Sequence, residues 1–105
     1  MKATLSKLTI VSERLLKDQL IDLIREEGAT GFTMTEVEGE GSRGVRATDW
    51  EGRNIQIDTI VAPSTSDAIL EKLSERYFED FAIIAWVVEV NVLRGAKFVG
   101  KQSES

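Results

Sequence analysis

The chain of 105 residues contains no cysteine and no histidine. The missing thiols exclude disulfides, thiolate nucleophiles and thiol redox switching, and the two absences together exclude the common Cys/His zinc sites. Without histidine the chain also lacks the side chain most often used for proton transfer near neutral pH. Any catalysis would have to rest on carboxylates, Lys, Arg, Ser or Thr. Positive charge is scarce as well: 13 Lys and Arg against 18 Asp and Glu leave a net charge of −5. A general nucleic-acid binder is usually basic, so no nucleic-acid partner is expected. No apolar run reaches the length of a membrane span, and residues 1–11 read as a strand rather than a signal peptide. The expected location is therefore the cytoplasm, with no direct membrane insertion.

What remains is the balance of an ordinary globular domain, 42% apolar and 30% charged. Ala3 to Val11 is rich in β-branched residues and reads as a first strand. Ser12 suits an N-cap and Glu13 a first helical turn. Leu15, Leu16, Leu20, Leu23 and Ile24 then give an amphipathic helix that ends near Glu27, with Gly28 as its stop. Phe32 to Glu38 and Asn54 to Val61 read as strands, the latter with Ile55, Ile57 and Thr59 on one face. Pro63 and Ser64 end that strand, Ser64 and Asp67 have capping-box spacing, and Ile69, Leu70, Leu73 and Tyr77 mark a second helix running to about Phe78. Ala82 to Val88 is a continuous apolar run, which suits a strand covered on both faces. Glu89 after it is expected to pair with a Lys or Arg. Residues 1–98 form the domain, and 99–105 a flexible polar tail.

This order, strand-helix-strand twice over, predicts an α+β, ferredoxin-like βαββαβ fold: an antiparallel four-stranded sheet with two helices on one face. The other face would stay exposed in a monomer. Trp86 and the strand valines and isoleucines imply that self-association covers it.

The chemistry concentrates between the second and third strands, in Gly39-Glu40-Gly41-Ser42-Arg43-Gly44-Val45-Arg46 and on to Gly52. Glycines permit positive φ and bring N–H groups close to a ligand, Ser42 can donate, and Arg43 and Arg46 offer planar forks for phosphate or carboxylate oxygens. The connection 39–53 far exceeds an ordinary hairpin loop of about 2–5 residues, and such loops are functional or disordered. On chemistry alone it is either an anion-binding loop or a long connection that its glycines and arginines keep soluble. Gly31 and Thr33 would line a cleft or only serve a turn.

Other functions on this fold fit poorly. The candidate third strand carries no aromatic residue for stacking RNA bases. A metal chaperone would need cysteines. An acylphosphatase-type loop is not matched by Val11-Ser12-Glu13-Arg14, which has no glycine. The alternative kept beside a binding protein is a small phosphoryl-hydrolysing enzyme, with Arg43 and Arg46 stabilising the transition state. Glu36, Glu38 and Glu40 are near in sequence, but they read more simply as a solvated edge. A structural scaffold with an idle loop is a third reading.

Over nearly its whole length the chain resembles the PII signal-transduction superfamily. Within it, it is similar to the PII-like regulators of inorganic-carbon uptake: the cyanobacterial bicarbonate-transporter regulator SbtB and its carboxysome-associated relatives. The residues that carry the resemblance are Lys7-Leu8-Thr9-Ile10-Val11, Gly28-Ala29-Thr30-Gly31-Phe32-Thr33, Arg76-Tyr77-Phe78-Glu79-Asp80-Phe81 and, most specifically, Gly39 to Arg46, which is similar to that group's G-x-G-S-R-x-V-R signature.

The resemblance implies a non-enzymatic homotrimer that binds adenine nucleotide, AMP or ADP favoured, with bicarbonate as a further regulatory ligand, in clefts between subunits. Loop 39–53 would be the effector T-loop. Gly41, Ser42, Arg43 and Arg46 would hold phosphates, Phe81, Ala82 and Ile83 would contribute backbone groups, and Thr9, Ile10 and Thr33 would lie beside the nucleotide. No catalytic residue, catalytic cofactor or metal site is implied. The partner would be a bicarbonate transporter, which would recruit the protein to the inner membrane, or a carboxysome-associated protein. Some features depart from the superfamily. Glu79-Asp80-Phe81-Ala82 stands where conventional PII proteins begin a G-D-G-K phosphate loop, and this favours AMP or ADP over the triphosphate. Residues 39–53 contain no tyrosine for uridylylation, and the cysteine pair that ends many SbtB proteins is absent. Trp50, flanked by Asp49, Glu51 and Arg53, would suit a partner contact or pack on its own subunit.

Overall fold

A computed structural model describes residues 2–39 and 54–99. The glycine-rich loop beyond Gly39 and the tail beyond Val99 lie outside the described residues. The elements are β1 (Lys2–Glu13), a 3-10 turn (Arg14–Leu16), α1 (Lys17–Glu26), β2 (Thr33–Val37), β3 (Asn54–Val61), α2 (Pro63–Arg76), β4 (Ile84–Leu93) and a short α3 (Ala96–Val99). The strands form one sheet in the order β2-β3-β1-β4. Every neighbouring pair is antiparallel. This is the ferredoxin-like arrangement expected from the sequence.

The core lies between one sheet face and the two long helices. Leu8 and Ile10 of β1 and Ile55 and Ile57 of β3 pack with Leu20, Leu23 and Ile24 of α1 and Ile69 and Leu73 of α2. Period-two spacing on the strands and three- or four-residue spacing on the helices bring these side chains into one layer. Gly28, at φ 114°, ends the α1 segment in a conformation that side-chain-bearing residues rarely adopt. Lys72 of α2 bridges to Glu27 beyond α1 at 2.7 Å.

Several local expectations are corrected. Ser12 is not a helix cap: β1 continues through it to Glu13, because pairing with Ile55 and Asn54 of β3 keeps both residues extended. The α-helix begins only at Lys17, after the 3-10 turn, and Leu15 is exposed. Nor do Ser64 and Asp67 form a capping box. Ala62 is the N-cap of α2 and Pro63 its first residue, where a missing N–H costs nothing. The last strand starts two residues later than its apolar run and extends to Leu93. One chain covers only one of its faces: Ala85 and Val87 pack against the core. Ile84, Trp86 and Val88 are exposed at 59%, 43% and 47%. Glu89, opposite Ser6, makes no ion pair among the described residues.

Candidate functional site

Strand alternation sends Thr9 and Asp58 to the face opposite the core residues Leu8, Ile10 and Ile57. Across that open face the register aligns Thr33 of β2, Asp58 of β3, Thr9 of β1 and Trp86 of β4. Thr9 is 2% exposed, and its hydroxyl donates to Asp58 Oδ1 at 2.6 Å. Gln56 Nε2 donates to Asp58 Oδ2 at 3.2 Å. A carboxylate thus sits between two polar partners in the middle of a face whose β4 side is apolar. The next row toward the loop holds Thr35, Gln56, Val11 and Ile84.

The last row joins Val37, Asn54 and Glu13, the two roots of loop 39–53 and the end of β1. The turn that enters β4 meets this row. Ala82 N–H donates to Glu13 Oε2 at 2.9 Å. Phe81 N–H donates to Tyr77 O and Ile83 N–H to Phe81 O, each at 3.0 Å, and the Tyr77 and Phe81 rings lie 6.1 Å apart. These contacts fix the turn against the sheet end. Asn54 Oδ1 is buried and has no partner among the described residues. On the other side of β2, Glu36 pairs with Arg14 at 2.9 Å, in the open at the surface.

The expected site residues divide by position. Thr9 and Thr33 share one row of the open face, flanking Asp58. Phe81 and Ala82 stand half-buried at the loop end. Ile83 is buried against the core. Ile10 is 0% exposed on the helix-covered face, so its side chain offers no surface to a ligand. Gly41, Ser42, Arg43 and Arg46 lie outside the described residues; only the roots of their loop are placed, and these converge on Glu13 and the Ala82 turn. Sequence reasoning missed Asp58, Gln56, Glu13 and Asn54. Three of them were legible as the polar half of the β3 alternation, Asn54-Gln56-Asp58 against Ile55-Ile57-Thr59. Glu13 was read as a helix-dipole residue.

Among the described residues no cluster of three or more His, Cys, Asp or Glu is placed to hold a metal ion. None of the described helices is long and apolar enough to cross a membrane. The arrangement is suited to binding: donors and acceptors converge beside a loop whose sequence contains Arg43, Arg46 and Arg53, and strand pairing holds them in place.

Residues 5–97 match the profile of the family described as nitrogen regulatory protein P-II. Among solved structures, a PII-like signalling protein from Thermus thermophilus is 46% identical, with a TM-score of 0.82 over 93% of this chain and 98% of that one. CPII from Thiomonas intermedia, a nitrogen regulatory PII-like protein bound to ADP, AMP and bicarbonate, is 26% identical, with a TM-score of 0.86 over 95% and 98% of the two chains. CPII bound to ADP and bicarbonate is 27% identical, with a TM-score of 0.83 over 93% and 97%.

Proposed function

The chain belongs to the nitrogen regulatory protein P-II family, and from that membership we propose that it is a non-enzymatic sensor of adenine nucleotide, ADP or AMP, with bicarbonate as a second ligand. It binds them in clefts between the subunits of a homotrimer. Through loop 39–53 it regulates inorganic-carbon uptake by a bicarbonate transporter or a carboxysome-associated process. In this reading Gly41, Ser42, Arg43 and Arg46 hold the phosphates, Ala82 supplies a main-chain N–H, and Thr9 and Thr33 lie beside the nucleotide.

The observation that carries the reading is the convergence of the loop roots Val37 and Asn54 with Glu13 and the Ala82 turn. It occurs in a fold shared, over 95% of the chain, with a protein bound to ADP, AMP and bicarbonate. The exposed column Ile84, Trp86 and Val88 supports self-association, because apolar strand surface of this kind is costly to leave in water. Ligand contacts at the root of a long loop shift its population toward one conformation, and that change is what a partner protein reads.

Calorimetric titration with AMP, ADP, ATP and cyclic AMP, each with and without bicarbonate, tests the proposal, followed by assay of the same samples for turnover. Saturable binding of ADP or AMP without turnover is expected. Nucleotide hydrolysis would move the protein to the phosphoryl-hydrolysing class, and absence of binding would leave a scaffold.

A further inference from the structure

Of the three N–H groups at Phe81, Ala82 and Ile83, two are spent on carbonyls within the turn, those of Tyr77 and Phe81. The third, on Ala82, is held by a carboxylate: Glu13 Oε2 accepts it at 2.9 Å from the end of the central strand. Glu13 makes no ion pair among the described residues. Its strand neighbour in the register is Asn54, whose buried Oδ1 lacks a partner among the described residues. A full negative charge therefore occupies the one of these three N–H groups that does not bond to a carbonyl within the turn, next to a second acceptor and the root of loop 39–53. An ionised acceptor makes the stronger kind of hydrogen bond, so this contact holds the turn against the end of β1.

We infer that Glu13 is an internal stand-in for the ligand's oxyanion, and that it sets the anion affinity of the site. The inference rests on the nucleotide reading above. A phosphate or bicarbonate oxygen that approaches the Ala82 N–H meets a donor already filled and a like charge beside it. Binding requires Glu13 to turn out, and the freed carboxylate then stands at the loop root, where it reports occupancy. The apparent affinity is the intrinsic one reduced by the fraction of molecules in which Glu13 has released the N–H. If release is disfavoured about tenfold, anion binding is weakened about tenfold. A neutral nucleoside, which has no oxyanion to place there, escapes this competition.

The test compares the full chain with Glu13→Gln, which keeps the length and removes the charge, and Glu13→Asp, which keeps the charge but falls short of the N–H. Each is titrated with ADP, with adenosine and with bicarbonate alone. Glu13→Gln should bind ADP about tenfold tighter, by removing the competing charge and weakening its hold on the N–H, with adenosine affinity unchanged. Glu13→Asp should give a smaller gain, since the N–H is released while the repulsion remains. A gain with bicarbonate alone identifies a planar oxyanion as the occupant, and a gain confined to ADP identifies a phosphate; either supports the inference. Unchanged or weaker ADP binding by Glu13→Gln, with normal binding by the unsubstituted chain, overturns the inference and leaves the nucleotide reading standing. A loss of affinity accompanied by a lower thermal midpoint would mark Glu13 as a structural tie for the turn. If no version binds ADP, the nucleotide reading falls and the inference falls with it.

Discussion

Asp58 shows how a single polar residue is accommodated on the open sheet face. Its two carboxylate oxygens accept from Thr9 and from Gln56. The Thr9 hydroxyl is buried, so Asp58→Ala would leave it without its acceptor. A buried polar group stripped of its partner costs roughly 1–3 kcal/mol, and urea unfolding of Asp58→Ala should show a loss of that size. At the loop the expected effect falls on binding instead. Arg43→Ala and Arg46→Ala each remove a charge-assisted contact to phosphate, worth roughly 1.5–3 kcal/mol, and should weaken ADP binding by about tenfold or more. Both substitutions change the loop sequence and leave the core residues Leu8, Ile10, Ile55 and Ile57 unaltered, so the oligomer should persist. Normal calorimetric affinity in both variants would remove the loop from the binding site.

At the scale of elements, the central strand has the largest role. β1 pairs on both sides, and its last residues bring the β3 root of the loop and the turn before β4 to the same end of the sheet. The sheet is fixed by burial of Leu8, Ile10, Ile55 and Ile57 under the helices, and the loop joins it at the ends of β2 and β3. In the proposed function, ligand bound at these roots orders the segment beyond them. Limited proteolysis should therefore cut within residues 39–53 in the ligand-free protein and be slowed several-fold by saturating ADP. Equal cleavage rates would argue against a ligand-ordered loop.

For the whole molecule, the decisive feature is the asymmetry between the two sheet faces. One lies under α1 and α2; the other presents Ile84, Trp86 and Val88 to water beside the Asp58 row. Placing a charge in the middle of the apolar column opposes its burial, because an unpaired charge out of water is strongly unfavourable. Trp86→Glu should convert the proposed trimer to monomers in sedimentation analysis, with the fold retained by circular dichroism. A Trp86→Glu protein that sediments as the unsubstituted chain does would place the subunit interface elsewhere.

Local patterning by itself determined the element order, the fold class and the buried stripes. The three- and four-residue spacing of Leu20, Leu23 and Ile24, the alternation of β3 and the glycine after α1 each act within a few residues and match the structure. The glycine-rich signature likewise pointed to the family that residues 5–97 match. Only the tertiary structure decided the outcome where pairing across the sheet competes with local propensity. Ser12 and Glu13 have the composition of a helix start, yet pairing with Ile55 and Asn54 of β3 holds them in the strand and carries Glu13 to the Ala82 turn. The continuous run Ala82 to Val88 looks covered on both faces, yet its strand lies at a sheet edge with helices on one side only. Such contacts join residues far apart in the chain, as Glu13 and Ala82 are, and their energies depend on register and layer order, which no short window of sequence contains.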